Sequence, residues 1–175
     1  YGMTFENGPN QPFVFSNGPG IAVDVDIAAS KKEVWDSVTD INFGSKFSNE
    51  FVGANWDKET PSLKLGDTFT GRNQNEHIGE WTAKCTIDVL KSGRLFGWCT
   101  GDVSTPGARW RYELYDLGGT IRVRHRVILG PGESGLTRII ADNPQNETKI
   151  IRNRLSALRH NMQMVLDGMK ASLED

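Results

Sequence analysis

Residues 147–173 read ETKIIRNRLSALRHNMQMVLDGMKASL. Within this stretch Ile151, Leu155, Leu158, Met162, Val165, Met169 and Leu173 recur at steps of three and four. At about 100° per residue these side chains form a narrow apolar stripe along one helix face. Arg152, Arg154, Arg159, His160, Asp167 and Lys170 fall between them and suit a solvated side. Asn143-Pro144 supplies a start signal, with the Asn as cap and the Pro at the first helical position. A helix of this length spans about 40 Å at about 1.5 Å per residue. Nearly everything before it reads as strand, so the stripe has only a sheet to be buried against.

The chain has 175 residues, 37% hydrophobic and 24% charged, with a net charge of −2. That length fits a single domain with a sizeable core. The charge balance gives no general pull toward nucleic acid, and no RNA-binding motif or zinc-finger spacing accompanies it. No apolar run approaches about 18 residues, so no stable membrane insertion is expected. The N-terminus carries no charged-then-apolar leader, and the expected location is cytoplasmic. Cys85 and Cys99 lie at no metal-like spacing and read as reduced thiols. There is no Gly-x-Ser-x-Gly, phosphate loop or dinucleotide fingerprint, which argues against hydrolase, kinase and dehydrogenase classes. No cofactor is implied.

Residues 1–19 are rich in Gly, Pro and Asn and hold Phe5, Phe13 and Phe15, which suggests an extended arm pinned by its aromatics. Residues 20–175 form the domain. Ile21, Val23, Val25 and Ile27 alternate with Ala22, Asp24 and Asp26, the pattern of a half-buried strand. Ser30 with Glu33 three residues on forms a capping box, opening a short helix through Val34, Trp35 and Val38. A second helical segment covers 41–48. Strand-like runs follow at about 50–57, 66–73, 80–90, 94–101, 108–117 and 121–129. Residues 130–142 read as a loop with an apolar piece near Leu136 and Ile139.

Two tight turns set the pairing. Ser92-Gly93 as a two-residue loop pairs Lys91 with Arg94, Val89 with Phe96, Ile87 with Trp98 and Cys85 with Thr100. Cys99 then points to the opposite face from Cys85. Gly118-Gly119 pairs Leu117 with Thr120, Leu114 with Val123, Tyr112 with His125 and Trp110 with Val127. The face with Trp110, Leu114, Val123 and Val127 must be the core face, so Tyr112 and His125 point inward side by side. Arg111, Glu113, Arg122, Arg124 and Arg126 take the outer face, where Arg124 faces Glu113 as a candidate ion pair and Arg111 faces Arg126 unfavourably.

The order of motifs is familiar. Gly66-Asp67-Thr68-Phe69-Thr70-Gly71-Arg72-Asn73 precedes Trp81 and Cys85. Then come Gly93-Arg94-Leu95-Phe96-Gly97-Trp98, Arg109-Trp110-Arg111-Tyr112-Glu113-Leu114 and Gly118-Gly119-Thr120. With Val25-Asp26-Ile27-Ala28-Ala29-Ser30 and Glu33-Val34-Trp35 at the start, residues 20–173 resemble the polyketide cyclase/dehydrase-like branch of the SRPBCC superfamily. That group includes START, Bet v 1-type and aromatic cyclase domains. The resemblance implies an α+β helix-grip fold. A curved antiparallel sheet of about seven strands wraps a long C-terminal helix, and two short helices follow the first strand. It also implies a hydrophobic cavity for lipids, polyketides or other apolar molecules, and leaves catalysis open.

On this reading Phe69, Trp81, Trp98, Trp110, Leu158, Met162, Val165 and Met169 line a ligand cavity or simply pack the core. Met162 and Met169, flexible and tolerant of varied partners, suit an adaptable wall. Tyr112 and His125 either orient a ligand's polar end, move protons as the best catalytic candidates, or satisfy each other as a buried pair. Asn73 either donates to a ligand at the cavity mouth or caps the next loop. His77, near Glu76 and Glu80, has no metal-ligand spacing. Three functions follow. The first is binding of a hydrophobic small molecule. The second is a cyclase or dehydratase using Tyr112 and His125. The third is an interaction module using the arginine-rich outer face, which otherwise reads as a solvated sheet surface. A homodimer is compatible with all three.

Overall fold

A computed structural model describes residues 13–59 and 63–175. The arm at 1–19 therefore falls largely outside the described residues, Phe5 with it. Its last residues are tied to the C-terminal helix: the Phe15 amide donates to Glu147 Oε2 at 2.8 Å, and Thr148 Oγ1 donates to the Phe13 carbonyl at 2.9 Å. Phe13 and Phe15 pack against the core.

The strands are β1 (Gly20–Ile27), β2 (Phe51–Trp56), β3 (Thr68–Asn75), β4 (Gly79–Lys91), β5 (Leu95–Thr100), β6 (Ala108–Asp116) and β7 (Ile121–Leu129). They form one curved antiparallel sheet in the order β1-β7-β6-β5-β4-β3-β2. Among the described residues three α-helices join them: α1 (Lys31–Val38), α2 (Gly135–Asp142) and α3 (Glu147–Leu173). The capping box starts α1 as expected, with the Glu33 amide on Ser30 Oγ at 3.1 Å and the Ser30 amide on Glu33 Oε1 at 3.3 Å. The expected second helix is a single 3-10 turn, Phe43–Lys46.

The β6–β7 hairpin has the register read from Gly118-Gly119: Leu114 opposite Val123, Tyr112 opposite His125, Trp110 opposite Val127. The β4–β5 hairpin departs from expectation. Its loop has three residues, Ser92-Gly93-Arg94, because Gly93 takes a left-handed conformation at φ 73°. Lys91 therefore pairs with Leu95, and Leu90 rather than Val89 meets Phe96. A bulge between Ile87 and Val89 absorbs the extra residue, which restores Ile87 opposite Trp98 and Cys85 opposite Thr100. Cys85 and Cys99, both buried and free, then lie on opposite faces of the sheet.

Residues 130–142 also differ: Gly135–Asp142 is helical. The Ser134 amide donates to Thr137 Oγ1 at 2.8 Å, a closing contact at its N-terminus that the preceding Gly-Pro-Gly run obscures. Asn143 does not cap α3. Its Nδ2 donates back to the Ile139 carbonyl at 3.3 Å, and Pro144–Asn146 form a 3-10 turn that leads into α3 at Glu147.

The stripe of α3 is buried as its spacing requires, with Ile151, Leu155, Leu158, Met162, Val165 and Met169 inside and Leu166 beside them. The helix packs most extensively along β1, which is one end of the sheet. There its side chains meet the strand's outward backbone groups. Gln163 Nε2 donates to the Asp24 carbonyl at 3.5 Å, Lys170 Nζ to the Asp26 carbonyl at 2.6 Å, and Glu174 Oε2 accepts from the Ala28 amide at 2.8 Å. The opposite flank of α3 reaches the chain leading into β2. Asn161 Oδ1 accepts from the Asn49 amide at 2.7 Å, and Gly168 lies under the Phe47 ring. Arg154 makes a bidentate pair with Glu50 at 2.7 and 2.9 Å. Arg154 and Lys170, expected in solvent, thus clamp the helix to the two ends of the sheet. Burial alone would raise the Glu50 pKa, but the Arg154 guanidinium outweighs it and holds the carboxyl below its ordinary value.

Candidate ligand site on the concave face

Strand alternation sends Phe69 from β3, Phe96 and Trp98 from β5, Trp110 and Tyr112 from β6, and His125 from β7 to the same side of the sheet. Because Trp98 stands directly opposite Trp110 and Tyr112 directly opposite His125, their rings meet in pairs. Trp98 and Trp110 are parallel within 10° at 6.2 Å between centroids. Tyr112 and His125 are parallel within 11° at 3.9 Å. His125 also lies 5.5 Å from Trp110, and Phe69 meets Trp98 edge-on at 5.8 Å. The result is an aromatic wall across the middle strands.

Two residues absent from the sequence-based set join it. Trp56 of β2 packs edge-on against Phe69 at 5.6 Å, and Trp35 of α1 against Phe96 at 6.5 Å. The parity of β2 is hidden in the sequence by an irregularity between Phe51 and Gly53. Leu158, Met162, Val165 and Met169 are all buried on α3. Asn73 and Trp81 stand apart. They pair with each other at the far end of β3 and β4, both partly exposed, and Trp81 makes no ring contact among the described residues. Asn73 does not cap the β3–β4 loop; Asn75 does, its Oδ1 accepting from the His77 and Ile78 amides at 3.0 and 2.7 Å. That loop borders an open depression of about 610 Å³ lined by Asn49, Gln74, Asn75, Glu76, His77, Gly79 and Glu80. Among the described residues no three His, Cys, Asp or Glu side chains gather to hold a metal.

Tyr112 and His125 do not satisfy each other. They stack instead of hydrogen bonding, with 8% and 4% of their surfaces exposed. His125 Nδ1 lies 2.9 Å from the Arg111 carbonyl. A carbonyl only accepts, so Nδ1 carries the proton and Nε2 presents a lone pair. Burial pushes the His125 pKa down to about 4, against the smaller upward pull of that hydrogen bond, so the ring is neutral at pH 7. Burial likewise pushes the Tyr112 phenol above its ordinary value, keeping it protonated. Neither the Tyr112 hydroxyl nor His125 Nε2 has a hydrogen-bond partner among the described residues, and neither atom is fully shut off from solvent.

The convex face is arranged differently from its sequence reading. Arg124 pairs with Asp24 at 2.6 Å, not with Glu113. Glu113, only 4% exposed, takes Arg126 at 2.9 Å and the Tyr115 hydroxyl at 2.7 Å. Arg122 pairs with Asp26 at 2.8 Å. Arg111 does face Arg126 in register, yet it turns across Gly97 to Asp88, 2.9 Å away on the β4 bulge. A Cβ at Gly97 would lie 2.6 Å from Arg111 Cδ, so glycine keeps that path open. Each arginine of the proposed docking face is thus matched by a carboxylate of the same chain.

No protein-family model and no curated protein sequence matches the chain. Solved structures do. One is the Polyketide_cyc-like protein Cgl2372 from Corynebacterium glutamicum, 24% identical, with a TM-score of 0.61, covering 89% of this chain and 91% of that one. Another is the di-domain ARO/CYC BexL from the BE-7585A biosynthetic pathway, 14% identical, with a TM-score of 0.65. The match covers 89% of this chain but 50% of that protein. Ginseng major latex-like protein 151 from Panax ginseng matches at 8% identity and a TM-score of 0.60, over 89% of this chain and 97% of that one. The likeness is one of fold: a curved antiparallel sheet wrapped around a long C-terminal helix. No helix among the described residues is long and apolar enough to cross a membrane.

Proposed function

We propose, from this helix-grip fold, that the protein binds a hydrophobic small molecule between the concave face and α3. The observation that carries the reading is a pair of polar atoms without protein partners, on side chains more than nine-tenths buried, in an aromatic wall. Buried polar groups are normally hydrogen-bonded, and an orphan hydroxyl beside an orphan imidazole nitrogen is the arrangement that a ligand completes. Two further features support it. Trp98 and Trp110 remain partly exposed although they face the helix side. And α3 packs chiefly on β1, at the end of the sheet, rather than over the middle strands that carry the wall. Leu158, Met162, Val165 and Met169 supply the facing apolar surface.

The cyclase or dehydratase reading is weaker on chemical grounds. A base with a pKa of about 4 is a poor proton acceptor at neutral pH, and a phenol raised by burial is a poor proton donor to anything but a strong base. Both are better suited to hydrogen bonding than to transferring a proton. The interaction-module reading loses its anionic partner, since the convex arginines are already neutralised. A direct test is native mass spectrometry of the purified protein incubated with a panel of fatty acids, sterols and polycyclic aromatics. One-to-one adducts that Trp98→Ala and Trp110→Ala weaken are expected. Absence of any adduct, with the protein folded, refutes the reading.

A further inference from the structure

We infer that the ligand's buried head is an uncharged hydroxyl, recognised by Tyr112 and His125 together. The inference rests on the binding reading above and names the class of molecule. His125 Nε2 offers only a lone pair, because Nδ1 is committed to the Arg111 carbonyl at 2.9 Å. The Tyr112 hydroxyl, stacked beside it, has a proton to give. A hydroxyl meets both demands at once, donating to Nε2 and accepting from the phenol.

A carboxylate or phosphate cannot do this. It has no proton for Nε2, and its charge finds no countercharge in the wall. The nearby arginines, Arg111, Arg122, Arg124 and Arg126, leave the sheet on the convex side and end on Asp88, Asp26, Asp24 and Glu113. A buried charge without a partner is strongly disfavoured. A cationic head fares no better, since the one buried carboxylate at this level, Glu113, is also convex and bound to Arg126.

Isothermal titration at pH 7 with matched probes tests this: 2-naphthol, 2-methylnaphthalene and 2-naphthoate. The expected order places 2-naphthol about tenfold or more tighter than each of the others, the size of a buried hydrogen bond or two. Tyr112→Phe and His125→Phe should each cut the ratio of 2-naphthol to 2-methylnaphthalene affinity severalfold, the ratio being taken within each variant. The second probe also reports that each variant is folded. Equal affinity for 2-naphthol and 2-methylnaphthalene, or tighter binding of 2-naphthoate, overturns the hydroxyl assignment and leaves interior binding standing. If no probe binds, the binding reading fails and takes this inference with it.

Discussion

Replacing Tyr112 by Phe should stabilise the empty protein. The change keeps the ring, its 3.9 Å stack on His125 and its place opposite Phe96, and removes one oxygen. That oxygen is on a residue 8% exposed and has no hydrogen-bond partner among the described residues. Burying a hydroxyl without a partner costs about 1–3 kcal/mol, and the residual exposure argues for the lower end, about 1 kcal/mol. In a domain of this size 1 kcal/mol moves the melting temperature by about 2–4 °C. Thermal melts followed by circular dichroism, with urea titrations as a check that the unfolding slope is unchanged, should show Tyr112→Phe higher by that amount. The sign is what decides. A hydroxyl that is satisfied in the empty protein would contribute about 0.5–1.5 kcal/mol, so its removal would lower the melting temperature by a few degrees. A lower value for the variant would refute the claim that Tyr112 is held ready for a ligand.

The pH dependence of stability should carry a histidine contribution. His125 titrates near 4 when folded and near 6.5 when unfolded, so the unfolded chain binds more protons between those values. Stability is full above pH 6.5 and falls as pH drops toward 4, by about 2–3 kcal/mol in all. Comparing urea midpoints at pH 7 and 4.5, His125→Phe should lose that part of the slope, and an identical slope in the variant would contradict the neutral buried ring. At Gly168 an added Cβ would lie 2.6 Å from Phe47 Cε1 and nearer still to Cγ and Cδ1. Gly→Ala inside a helix ordinarily gains about 1 kcal/mol, whereas overpacking costs about 1–3. Gly168→Ala should therefore lower the melting temperature by a few degrees, and Phe47→Ala should relieve it. A rise in the single variant would mean the ring is free to move aside.

The stripe on α3 was legible because a 27-residue helix repeats its pattern many times, and one exception such as Leu166 does not blur it. The β6–β7 register was legible because Gly118-Gly119 closes a true two-residue turn and no bulge follows. From that alone Tyr112 and His125 came together. The β4–β5 hairpin shows the limit. Ser92-Gly93 looks the same as a two-residue turn in sequence, and nothing about Asp88 announces a bulge; the distal pairs survived because two one-residue displacements cancel. Salt bridges were less legible still. Partners are chosen by which side chain can lean where, so Arg124 leaves its cross-strand neighbour Glu113 for Asp24 on the adjacent strand. Asn73 and Trp81 have the right parity for the concave face but stand too far along β3 and β4 to join the ring cluster, a distance that alternation does not measure. Trp56 and Trp35 were missed for the converse reason, since an irregular strand and a short helix bring them in.

The grip of α3 on β1 has a consequence for colloidal behaviour. An end strand presents a row of free amides and carbonyls on which another chain's strand can grow. Here Gln163, Lys170 and Glu174 occupy three of those positions, and on the other end strand the Ala54 amide is taken by Asn42 Oδ1 at 2.8 Å. Were the C-terminal half of α3 to lift, the β1 template would be uncovered at the same moment. Under the proposed binding function, guest loading by that route and self-association would compete for one motion.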